Sequence, residues 1–130
     1  MISRRMTLAV FGTALLTMPL LAHHNMSAVF DVNDRIALSG TLTKLDWRNP
    51  HIELEFRVQR DGGEAEAWKA EGPSPLFFRT RDTTKEDFQS AVGKPIKLEV
   101  SRARDGSHVG LLRTITLPNG KLVSMCPENC

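Results

Sequence analysis

From Arg35 to Val58 apolar and polar side chains alternate, and the alternation changes phase once. Ile36, Leu38 and Leu42 share one face of an extended run, with Gly40 between them, whereas Leu45 and Trp47 fall on the opposite parity. A strand repeats every two residues, so the change of phase requires one inserted residue, and a β-bulge is predicted near Thr43-Lys44. A second strand is the cleanest pattern in the chain: Ile52, Leu54, Phe56 and Val58 alternate with His51, Glu53, Glu55 and Arg57. Asp61-Gly62-Gly63 supplies a hairpin turn, and a third strand is expected over about Glu64 to Glu71, including Trp68. Gly72-Pro73-Ser74-Pro75 stops that strand; Ser74 is placed to cap a short helix through Leu76, Phe77 and Phe78 with Pro75 at its first position. A second helical turn is expected from Thr83, with Glu86 completing a capping box. Ile96, Leu98 and Val100 mark a fourth strand, Asp105-Gly106 a turn, and Val109, Leu111, Ile115 and Leu117 a fifth. Pro118-Asn119-Gly120 then leads into a short last strand at Lys121 to Ser124.

This order predicts a mainly β fold: a small OB-like barrel of five to six strands with a short helical connection between strands 3 and 4. A generic small β-sandwich is the alternative. The barrel is expected over residues 35–124, preceded by a polar lead-in at 23–34 and followed by a cysteine-bearing tail at 125–130.

The first 22 residues change the charge picture. Arg4 and Arg5 precede a mostly apolar run from Leu8 to Leu21, shorter than the roughly 20 residues a spanning helix needs. The segment reads as a signal peptide cut after Ala22, so a periplasmic location and no stable membrane span after cleavage are expected. Ser3-Arg4-Arg5-Met6 also partly fits a twin-arginine signal, and the general secretory route fits as well. The chain has 17 basic and 15 acidic residues; losing two arginines with the leader leaves the two signs balanced. A nucleic-acid partner would need a basic surface, and none is expected.

The chain resembles a family of small exported bacterial proteins catalogued only as a domain of unknown function. The resemblance is carried by His23-His24-Asn25-Met26-Ser27, Trp47-Arg48-Asn49-Pro50-His51, Trp68-Lys69-Ala70-Glu71-Gly72 with Pro73-Ser74-Pro75, Arg102-Ala103-Arg104-Asp105-Gly106-Ser107, and Leu117-Pro118-Asn119-Gly120. Asn25-Met26 interrupts the family's usual His-His-Ser, no Gly-Trp follows Pro75, and the tail from Cys126 to Cys130 is peculiar to this chain. The resemblance implies fold and compartment; the family brings no activity with it.

Two constellations can carry chemistry. A cut after Ala22 would make His23 the terminal residue, whose α-amino and ring nitrogens form a chelate. One further imidazole, from His24 or His51, would complete a nitrogen site suited to Cu(II), with Met26 as a soft ligand for Cu(I). The metal-ligand candidates are therefore His23, His24 and His51. The alternative is a ligand rim built from Trp47, Arg48, Asn49 and His51 on the loop between the first two strands, with Trp68 and Glu71 at the exit of the third; against it stands a purely structural loop, with Trp47 a core plug and Asn49-Pro50 a rigid turn. Glu71 is placed either to hydrogen-bond His51 and orient its ring or to face solvent as an ordinary surface glutamate. His108, beside a hairpin turn, reads as an exposed side chain. The sequence holds no nucleophile elbow, Gly-rich phosphate loop or HExxH spacing, so a binding or accessory module for a small ligand or a periplasmic protein is expected rather than an enzyme. In an accessory subunit, the edges of the strands would pair with a partner. Cys126 and Cys130 are a disulfide candidate; so short a loop would contribute about 2 kcal/mol.

Overall fold

Thr43 is the residue that the change of phase demands. In the computed structural model, which describes residues 26–125, Leu42 faces Phe56 on the neighbouring strand and Lys44 faces Glu55, so Thr43 is the extra residue of a bulge. Its hydroxyl donates to the carbonyl of Glu55 at 2.9 Å. The bulge lies in β1 (Phe30–Asp46), a 17-residue strand long enough to serve two neighbours. Its first part pairs with β4 (Pro95–Ala103) and its last part with β2 (Glu53–Val58), both antiparallel. At the handover, Gly40 lies against β2 so closely that a Cβ there would sit 2.4 Å from the Arg57 carbonyl oxygen. Only a residue without a side chain permits that approach.

β2 continues through the Asp61–Gly63 turn into β3 (Glu66–Glu71), and β4 through Asp105-Gly106 into β5 (Val109–Thr116). The turn at Pro118–Gly120 sends β6 (Leu122–Ser124) back along β5. One sheet thus runs β3-β2-β1-β4-β5-β6, and a parallel pairing of Lys69, Ala70 and Glu71 with Val109, Gly110 and Leu111 closes it into a ring. The expected fold is the observed one: mainly β, barrel-like, with the strand connections of an OB-type barrel.

The connection between β3 and β4 holds α2 (Pro75–Arg79) and α3 (Lys85–Gln89). These short helices put Phe78 and Phe88, both fully buried, across one mouth of the barrel. Their rings meet edge to face at 5.3 Å. Below them the inward positions of the strands, among them Leu42, Leu54, Phe56, Val100, Leu112 and Ile115, fill the interior. Among the described residues, no buried side-chain nitrogen or oxygen lacks a partner. Nor is any helix among them long and apolar enough to cross a membrane.

Four local expectations change. The barrel does not wait for Arg35: a helical turn, α1 (Met26–Val29), leads straight into β1, and Phe30 is buried opposite Ala103. The register then skips from Phe30 to Arg35, so Asp31–Asp34 bow out of the ladder, which is why they read as lead-in. The third strand begins at Glu66, after the turn has run its course. Ser74 occupies the N-cap position of α2 without a side-chain cap bond; Pro75 sets the start of that helix. The capping box belongs to Thr84 and Asp87, one residue later than the Thr83-Glu86 frame. Thr83 is buried and its hydroxyl is spent on the Arg81 carbonyl.

Candidate functional site

The loop between β1 and β2 is pinned to the segment after β3. The Ile52 amide donates to the Pro73 carbonyl at 3.1 Å, and the Gly72 amide donates to the Ile52 carbonyl at 2.9 Å. A Cβ on Gly72 would fall 2.8 Å from Ile52 Cγ1, so the segments touch only because residue 72 is glycine. The Trp47–His51 and Trp68–Pro75 motifs, some twenty residues apart in the chain, are therefore one structure. The Asn49-Pro50 peptide within it is cis.

This pinning brings His51 to Glu71. Nδ1 of His51 and Oε1 of Glu71 are hydrogen-bonded, and an ionised carboxylate, which can only accept, assigns the donor role to Nδ1. Both side chains are half-buried, at 32% exposure each. A groove of about 280 Å³ runs past the pair, with Arg48, Asn49, Pro50 and Glu53 along its walls. Arg48 is itself tied to Asp46 at 2.8 Å. The two tryptophans do not join this groove. Trp47 turns into the barrel mouth, its ring 5.0 Å from Phe78 and 5.3 Å from Phe88. Trp68 is buried on β3, stacked toward Phe56, with its indole N–H on Glu66 at 3.1 Å. Of the rim residues named from the sequence, Arg48, Asn49, His51 and Glu71 come together, and both indoles pack in the body. His23, His24, Cys126 and Cys130 lie outside the described residues. Among the described residues, no three histidine, cysteine or acidic side chains gather as metal ligands.

A second polar centre, which the sequence did not single out as a site, lies at the other end of β2. The imidazole of His108 lies flat on Trp68, ring centres 4.7 Å apart and planes within 12°. The stack follows from the parallel seam, where the Lys69 amide donates to the His108 carbonyl at 2.9 Å. Beside it, Arg60 pairs with Glu66 at 2.9 Å. That hydrogen bond, followed by the one from Trp68, holds the Glu66 carboxyl below the ordinary range. Arg102 binds Asp34 through both Nε and Nη2 at 2.8 Å. Arg104 binds the chain ahead of β1: its amide donates to the Val29 carbonyl at 2.9 Å and its Nε to the Ser27 carbonyl at 3.0 Å. A cleft of about 420 Å³ lies among these side chains. The sequence signal was present in Arg102-x-Arg104 facing the acids at 31 and 34, but it becomes legible only once β1 and β4 are paired.

Comparison with known proteins adds one finding. No curated protein and no solved structure matches the chain. The model of a family of unknown function matches residues 12–113, from within the N-terminal apolar run to the middle of β5, and the chain therefore belongs to that family, DUF6152.

Proposed function

We propose that this protein is an exported, non-enzymatic binding module, freed of residues 1–22, that holds one copper ion. In this reading His51 supplies an imidazole and the new terminus at His23, with His24, supplies the remaining nitrogens. The observation that supports it is the His51–Glu71 hydrogen bond. Metal-binding histidines characteristically donate their other ring nitrogen to a carboxylate, which fixes the ring and raises its basicity. With Nδ1 engaged by Glu71, this reading assigns the metal to the other ring nitrogen, Nε2. The neighbouring segment is held by two backbone bonds and a glycine contact, so the imidazole is carried on a rigid frame. Imidazole and amine nitrogens together favour Cu(II) among the divalent ions.

Mass spectrometry of the mature protein purified from the periplasm, under native conditions with and without one equivalent of Cu(II), tests this directly. The expected result is a chain beginning at His23 that takes up a single copper and keeps it under mild competition. A different terminus, or loose uptake of several coppers, would overturn the metal reading. The groove beside His51 favours a second reading, in which a small polar ligand binds between Arg48, Asn49 and Glu53 without metal. Adding one residue before His23 separates the two: it abolishes copper binding and leaves groove binding intact.

A further inference from the structure

We propose that the cleft at the far end of β2 is a second binding site, for a small organic oxyanion carried on a flat ring. Its volume of about 420 Å³ falls within the range of small-molecule sites. Three guanidinium groups line it, and they come from three different places: Arg60 after β2, Arg102 within β4, and Arg104 at its end. Asp31 and Asp34 also line the cleft and Glu66 lies beside Arg60 and His108, so each guanidinium has one carboxylate partner and the attraction for an oxyanion comes from directed N–H groups rather than from excess charge.

The native ion pairs orient the arginines and leave them donors to spare. Each guanidinium has five N–H bonds in a fixed fork. Arg102 points Nε and Nη2 at Asp34; Arg104 points Nε at the Ser27 carbonyl and Nη1 at Asp31, 3.5 Å away; Arg60 points Nη2 at Glu66. Side chains held this way pay little further ordering on meeting a ligand, and a planar fork suits a carboxylate or phosphate. The flat ring follows from His108. Its side chain is 47% exposed while the indole beneath it is buried, so the imidazole is the outermost ring of a stack running from Phe56 through Trp68. A planar ligand extends that stack while its oxyanion meets the arginines. The site is independent of the copper reading, since it uses neither His51 nor any residue ahead of Ser27.

Titration with phenyl phosphate, followed by the side-chain N–H signals of Arg60, Arg102, Arg104 and Trp68 in ¹H–¹⁵N spectra, tests it. Inorganic phosphate and phenol are the comparison probes. Saturable shifts confined to those signals are expected with phenyl phosphate, about tenfold weaker binding with inorganic phosphate, and none with phenol. Arg60→Gln should weaken the phenyl phosphate complex about tenfold, and His108→Ala should abolish its advantage over inorganic phosphate. Arg60 lies outside the strands, so its variant tests the cleft without loosening the barrel. Shifts that fail to saturate, that gather at Lys44 and Lys69 instead, or that persist unchanged in Arg60→Gln would overturn the proposal.

Discussion

The two ends of β2 hold one histidine each and treat them in opposite ways. His51 is fixed through a ring nitrogen by a carboxylate, in a loop clamped to its neighbour. His108 is fixed through its ring face, flat on an indole. A hydrogen bond leaves an imidazole directional, whereas a stack leaves it a platform. Metal chemistry asks for the first and planar recognition for the second. The difference originates beneath the surface. At the His51 end the aromatic rings of Trp47, Phe78 and Phe88 pack on one another in the barrel mouth. At the His108 end a buried indole lies directly under the surface ring.

The comparison breaks most completely when one plug is removed. Phe88→Ala, at a site with no exposure, should cost about 3–5 kcal/mol in urea denaturation. His108→Ala, which removes an exposed ring, should cost less than about 1 kcal/mol in the same assay. Closing the seam too tightly comes next. A Cβ on Gly110 would lie 2.6 Å from Val100 Cβ, so Gly110→Ala should lose about 1–3 kcal/mol through forced repacking. Glu71→Gln sharpens the contrast between the histidines: copper affinity, read by competition with a chelator, should fall about 10–100-fold. His108→Ala should leave that affinity unchanged.

A small, pH-dependent effect concerns the helical connection at the His51 end. Asp87 receives the Thr84 amide and lies beside Lys121, and these, the amide first, hold its pKa below the ordinary value of 3.8. A depressed carboxyl stabilises the fold above that value and loses its contribution as pH falls through the lower folded pKa. Asp87→Ala should therefore cost about 1 kcal/mol near neutral pH, and the gap from wild type should close on acidification below 3.8.

Local pattern carried most of the barrel. Alternation from Ile52 to Val58 set β2, the phase change from Leu42 to Leu45 located the bulge at Thr43, and Pro75 began α2 where its fixed φ requires. Where two frames competed, local pattern misled: Thr83 and Thr84 each have an acid three residues on, and burial of Thr83 decided between them. The run Asp31–Asp34 reads as a polar lead-in because it is a bowed interruption inside a strand. For the site, the Glu71 partnership was legible because glycine and proline mark where β3 must stop beside the first loop. The His108 stack was not, because it depends on a parallel register between residues about forty apart, and alternation cannot encode register between distant strands.

That register has a mechanical side. Three residue pairs close the ring, and the two histidines hang from the same short seam: Glu71 forms its last pair, and Lys69, its first, donates its amide to His108. The seam is the zip of the barrel. Occupying either histidine should tighten it, and slower hydrogen exchange at the Lys69 amide would report at one end of β2 what had been bound at the other.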